Sequence, residues 1–220
     1  MIVGDAQMCY TRIMSDLRTD QFDYHLPSDL IAQTPIEPRD ASRLMVVERA
    51  GGEIVHRNFP ELLDYLRPGD ILVANDSRVI PGRLLGRKAT GGRVEVLLLK
   101  PLAARRWEVL VGGKRVRQNT ELHLERGGVQ IGARVVENLG EARRVVEFDR
   151  PITPLLDELG EVPLPPYIHE PLSDPERYQT VFSRVNGSAA ASTAGLHFTP
   201  EMLLALRERG TTLAFVTLHI

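Results

Sequence analysis

Between Ile71 and Phe148 the chain breaks into short apolar-alternating segments separated by glycine-containing turns, and this texture limits the fold most. RVEVLLLK (93–100), RWEVLVGG (106–113), TELHLE (120–125), VQIGARVV (129–136) and ARRVVEF (142–148) read as strands. ILVANDSRVI (71–80) reads as a buried strand interrupted by Asn75, Asp76 and Ser77. Strands of this length and spacing predict a small barrel or sandwich over 71–150.

The flanks differ. Leu30 and Ile31 after Pro27 predict a helix with both facing inward. RLMVVER (43–49) and EIVHRNF (53–59) around Gly51-Gly52 predict a hairpin, and PELLDYL (60–66) a short helix. Past residue 150, a short helix within TPLLDELG leads to a strap with four prolines between 163 and 171. TPEMLLALRERG (199–210) is a helix with Thr199 as N-cap, Pro200 in the first turn and Gly210 past its end. TTLAFVTLHI (211–220) is a strand. The predicted class is an α/β (mixed α+β) domain formed by 14–70 and 151–220, with an inserted all-β barrel at 71–150. Residues 1–13 are expected to be a disordered extension. The closing strand–loop–helix–strand belongs in a parallel sheet, and one helix with two strands cannot cover both faces. The expectation is a chain shortened at its C-terminus.

Composition bounds the chemistry. Hydrophobic residues make up 43% and charged residues 25% of 220, which supports a packed core. No apolar run reaches the roughly 20 residues of a membrane helix. One cysteine, Cys9, excludes an internal disulfide and a cysteine-rich metal site. These features fit a soluble protein of a reducing cytosol. Net charge is −2, yet Arg78–Arg117 holds eleven basic residues against Glu95 and Glu108, a local +9. Such asymmetry is either an RNA footprint or a set of solvated arginines alternating with buried valine and leucine.

Dinucleotide fingerprints, P-loops, HExxH and GxSxG are missing from the sequence. The densest chemical segment is Thr193–Thr199, TAGLHFT. Gly195 and its small neighbours admit a ligand to the backbone, and His197 and Thr199 stand just before a helix start. An ordinary strand-to-helix loop has the same composition. Asn75, Asp76, Ser77 and Arg78 fit a ribose or phosphate site, or a turn with a surface ion pair. Tyr167 and Tyr178 with Arg177 fit base stacking and phosphate contact, or a packed connector. Glu95 is a lone candidate base, and His219 lies at a strand end, where α/β sheets bind ligands. A hydrolase built on His197 lacks a nucleophile signature.

Several longer stretches together carry a resemblance. They are FDYHLPSDLIAQTPIEPRDASRL, PGDILVANDSRVIPGRLLG, GGRVEVLLL, WEVLVGGKRV, VPLPPYI, RYQTVF, GSAAASTAGLHFTPEMLLALRERG and VTLH. In this order, from about Asp16 to Ile220, they resemble the S-adenosylmethionine:tRNA ribosyltransferase-isomerases of queuosine synthesis. The resemblance implies transfer and isomerisation of the ribosyl group of S-adenosylmethionine onto 7-aminomethyl-7-deazaguanine at the tRNA wobble position. Epoxyqueuosine forms, and adenine and methionine leave. It implies a cytoplasmic monomer with no metal and no permanently bound cofactor, S-adenosylmethionine as donor substrate, and tRNAs with GUN anticodons as partners. Carried onto this chain, it makes His197 and His219 acid/base candidates. The substrate-binding candidates are then Asn75, Asp76, Ser77, Arg78, Arg83, Glu95, Tyr167, Arg177, Tyr178, Gln179, Thr180, Thr193, Ala194, Gly195, Leu196, Phe198 and Thr199. Two positions depart from the family pattern. Ser192 replaces the proline before TAGLHFT, and Gly82 stands where alanine is common. The family also continues well past TLH, so a non-catalytic RNA-binding remnant is the competing reading.

Overall fold

The computed structural model describes residues 18–220. The expected extension at 1–13, with Cys9, lies outside the described residues. The chain divides at Gln33/Thr34 into two units.

In the first unit, Thr19–Phe22 and Ser28–Leu30 are single 3-10 turns. The expected inward-facing helix is not formed, and Leu30 is 71% exposed. Three residues of 3-10 geometry present no continuous apolar face.

The second unit opens with the hairpin β1 (Arg43–Val47) and β2 (Ile54–Asn58), paired antiparallel. A 3-10 helix, Phe59–Asp64, follows, and its first turn is closed by Asn58 and Glu61 in a reciprocal capping box. Next come β3 (Ile71–Asn75) and β4 (Ser77–Val79). Then β5 (Arg83–Lys88), β6 (Arg93–Ala103), β7 (Arg106–Gly112), β8 (Glu121–Arg126), β9 (Val129–Gly140) and β10 (Arg143–Phe148) close a barrel in the order β10-β7-β6-β5-β8-β9. The predicted barrel therefore exists, but its strands begin at Arg83. The segment 71–79, expected inside it, pairs elsewhere. Pattern alone does not separate the two, because a strand alternates identically whichever neighbour it finds. The pattern reading also missed β5.

Barrel closure is driven by strict alternation. In β6, Val94, Val96 and Leu98 point inward while Arg93, Glu95 and Leu97 point out. Leu84, Val96, Leu98, Val109, Leu122, Leu124, Val135 and Val146 are fully enclosed, and Ile152, Leu156 and Leu159 join the same core from the helical segment after β10. Gly86 permits closure at the β5–β8 seam. A Cβ there would lie 2.2 Å from the His123 carbonyl oxygen.

Two parallel ladders complete the unit. The strand β11 (Val185–Ser188) pairs with β4, and β12 (Thr212–Val216) pairs with β3. The α-helix Pro200–Glu208 precedes β12 as expected, and the Thr199 hydroxyl accepts from Met202 N at 3.2 Å. The predicted buried strand at 71–75 is half exposed, with Ile71 64% and Val73 59% accessible. Among the described residues its ladder has two strands, so one face stays uncovered. No described helix is long and apolar enough to cross a membrane.

Candidate functional site

Asp76 stands where one extended segment changes partners. Up to Asn75 the segment pairs with β12, and from Ser77 with β11. Its backbone N–H donates to Val216 O at 2.9 Å, and its carbonyl accepts from Arg184 N and Val185 N at 2.8 and 3.1 Å. Its side chain is enclosed. Arg184 Nη2 donates to Oδ2 at 2.7 Å and the Thr217 hydroxyl to Oδ1 at 2.7 Å. These bonds, Arg184 first and Thr217 second, hold the carboxyl below its ordinary value of 3.8. The Arg184 guanidinium also lies 4.9 Å from the Phe215 ring centroid. Open α/β sheets bind ligands where strand connectivity changes, beyond the carboxyl ends of strands.

The segment after β12 is sewn into this junction. Asn75 clasps Leu218, donating from Nδ2 to its carbonyl at 2.9 Å and accepting its N–H at 3.0 Å. Ile220 N donates to the Ser188 hydroxyl at 3.2 Å. His219 is exposed, and its ring lies over Gly187, where a Cβ would fall 2.9 Å from ring carbon Cε1. Gly187 has φ +143°, so two constraints meet at that residue. Asn75 and Asp76 are thus tied to the segment that carries His219, with Arg184, Thr217, Gly187 and Ser188 as neighbours that pattern reading missed.

His197 belongs to a second cluster. TAGLH is one turn of 3-10 helix rather than a loop. His197 Nδ1 is 2.7 Å from Ser42 Oγ and 3.4 Å from the Arg39 carbonyl. Its ring packs on Phe59 at 5.1 Å. The Ser42 hydroxyl also reaches the Arg39 carbonyl at 3.3 Å. A carbonyl only accepts, so a proton on Nδ1 would serve the Arg39 carbonyl and leave Nε2 able to accept one, whereas a Ser42 hydroxyl donating to Nδ1 would put the proton on Nε2. Ser42 was missed because it lies 155 positions away. Phe182 connects the clusters, touching Phe198 at 6.2 Å and Phe215 at 6.1 Å between ring centroids.

Other candidates are held by the protein itself. Gln179 pairs with the backbone of Val79, accepting at 3.0 Å and donating at 2.9 Å. Tyr178 is buried with Val79 and Ala191, so it offers no stacking face, and burial pushes its hydroxyl above 10.0. Arg177 donates to the Ile36 carbonyl at 2.9 Å and pairs with Glu37 at 2.8 Å. Arg78 holds Ser183 and Glu176. Arg83 binds Glu95 through two hydrogen bonds of 2.8 and 3.1 Å, so Glu95 is not a lone base. Leu196 and Phe198 pack in hydrophobic clusters, and Thr199 serves as the helix cap. Gly195 is pressed against Phe182 and Thr180, where a Cβ would come within 2.9 Å of each. Thr193, Ala194 and Tyr167 remain exposed. The hydroxyls of Ser77 and Thr180 are enclosed without a hydrogen-bond partner. Among the described residues no three His, Cys, Asp or Glu converge to hold a metal ion.

The profile of the queuosine biosynthesis protein family matches residues 19–220. The chain belongs to that family. Two family members named S-adenosylmethionine:tRNA ribosyltransferase-isomerase are similar to it. The one from Dehalococcoides mccartyi strain CBDB1 is 50% identical over 93% of this chain and 60% of its own length. The one from Symbiobacterium thermophilum is 54% identical over 93% of this chain and 60% of its own. A solved S-adenosylmethionine tRNA ribosyltransferase from Thermotoga maritima is 36% identical, over 91% of this chain and 58% of that one, with a TM-score of 0.38. The chain thus spans about 60% of the length of these curated family relatives.

Proposed function

We propose that this chain carries donor-handling machinery of an S-adenosylmethionine:tRNA ribosyltransferase-isomerase. The reaction would transfer and isomerise the ribosyl group of S-adenosylmethionine onto 7-aminomethyl-7-deazaguanine at the wobble position of tRNAs with GUN anticodons. Epoxyqueuosine would form, and adenine and methionine would leave. The enzyme would act as a cytoplasmic monomer without a permanent cofactor.

The observation that carries the reading is His197, whose Nδ1 is tied to Ser42 and Arg39 within a chain of this family. The sulfonium of the donor acidifies its neighbouring C5′ proton, and a base must remove it before adenine departs. A His197 held with its proton on Nδ1 presents Nε2 for that step. His219, over Gly187 at the end of the strand junction, is the second candidate and suits protonation of departing adenine. Asn75, Asp76, Thr193 and Ala194 would line the donor. The enclosed hydroxyls of Ser77 and Thr180 are groups that a bound donor or an ordered water would satisfy.

The test is adenine release from S-adenosylmethionine in the presence of precursor tRNA. Release by the native chain, reduced about 100- to 10,000-fold in His197→Ala, is the expected result. Near-native release by that variant removes His197 from the chemistry. Salt-sensitive tRNA binding without any adenine supports the RNA-binding remnant instead.

A further inference from the structure

Most arginines on the outside of the barrel are neutralised by a neighbour. Arg83 pairs with Glu95, Arg106 with Glu147, Arg134 with Glu121 and Arg143 with Glu108. One region breaks the pattern. Arg87 on β5 lies directly opposite Arg93 on β6, and His123 on β8 lies directly opposite Arg87. All three side chains are exposed. Among the described residues neither arginine forms an ion pair; Arg87 donates only to the Gly91 carbonyl, at 3.3 Å. Like charges facing each other across a ladder are destabilising. Nothing in the packing of the barrel requires them.

The row borders a groove of about 800 Å³ whose wall includes Gly112 and Gly113. Two residues without side chains leave the groove open to a bulky ligand. Lys114 and Arg115 follow at once, both exposed, and Lys88 Nζ donates to the Lys114 carbonyl at 2.8 Å. Two carboxylates also face the groove. Glu95 is occupied by Arg83, which leaves Glu125 as the one acid of the groove outside an ion pair among the described residues. Cations still dominate. A row across three strands extends about 10 Å, longer than a single phosphate.

We infer that this groove at the β5–β6–β8 face is a docking surface for the phosphodiester backbone of RNA, with Arg87 and Arg93 as its principal contacts. The inference takes RNA as partner from the reading above and adds the surface that holds it. The groove is built from barrel strands, whereas the donor residues lie on the parallel ladders, the segments flanking them and the Thr193–His197 turn, so the two are separable by mutation.

The experiment is salt-dependent binding of an anticodon stem-loop RNA to the whole chain. Arg87→Ala/Arg93→Ala should lower the slope of log affinity against log salt by about 2. Arg87→Lys/Arg93→Lys should keep it, because a lysine still meets a phosphate as a point charge. Arg134→Ala/Arg143→Ala, at neutralised positions, should leave the slope unchanged. Inorganic phosphate at equal phosphate concentration should compete poorly; strong competition would mean a single-anion site and overturn the proposal. An unchanged slope in the alanine double variant would also overturn it. If that happened while adenine release persisted, only the groove assignment would fall. Absence of both RNA binding and adenine release would sink the function as well.

Discussion

The barrel and the parallel-strand junction satisfy their backbone groups by different means. Six strands closed on one another leave the barrel no edge, and its inward side chains form a single apolar core. Its outer surface is largely a set of paired charges. At the junction each ladder has two strands among the described residues, and side chains perform part of the pairing. Asn75 clasps Leu218, Gln179 substitutes for a strand beside Val79, and Asp76 gathers Arg184 and Thr217. A region held by polar side chains can exchange partners when a ligand arrives, which a closed hydrophobic barrel does poorly. The difference teaches that the polar two-stranded junction can rearrange around a small ligand, whereas the closed barrel offers a rigid outer surface.

The largest expected effect breaks the barrel. Leu84 is fully buried, so Leu84→Ala should cost about 2–5 kcal/mol in denaturant unfolding. A loss of less than about 1 kcal/mol would mean that the core is not closed around it.

An intermediate effect belongs to Asp76. Its folded pKa lies below the ordinary 3.8, so the carboxylate stabilises the fold above that pH. This contribution is lost as pH falls below 3.8 through the folded value. Asp76→Asn should therefore reduce stability at neutral pH and flatten the acid limb of a stability–pH profile. A parallel, unflattened limb would show that Arg184 does not act through this carboxylate.

The smallest effect sharpens the contrast from the barrel's surface. Arg134 and Glu121 are both more than half exposed, so breaking their pair by Arg134→Ala should change stability by no more than about 1 kcal/mol. A larger loss, measured by the same unfolding, would assign the outer charges a structural share that the comparison denies them.

Much of this architecture was legible in the order of residues. The hairpin, five of the six barrel strands, the Pro200 helix and its Thr199 cap all follow from local periodicity and capping chemistry. The limits of local reading appear at 71–88. Ile71–Val79 alternates like the barrel strands, yet its partners, Val185–Ser188 and Thr212–Val216, lie more than 100 residues away. The strand Arg83–Lys88 was hidden by glycine and charge, and Gly86 makes sense only against the His123 carbonyl. Candidate residues divide in the same way. His197, Asp76 and His219 stand out because polar groups interrupt apolar runs. Ser42, Arg184 and Thr217, which set their environment, are ordinary in sequence. Tyr178 and Arg177 stay ambiguous in sequence because aromatic and basic types are shared by binding surfaces and packed connectors.

The most direct test of the central claim is amide hydrogen exchange with and without S-adenosylmethionine. Slowed exchange is expected at Asn75–Arg78 and Thr193–His197, with Val94–Leu98 and Gly112–Arg115 of the barrel unchanged. Protection confined to the barrel groove, with none at the junction, would contradict it.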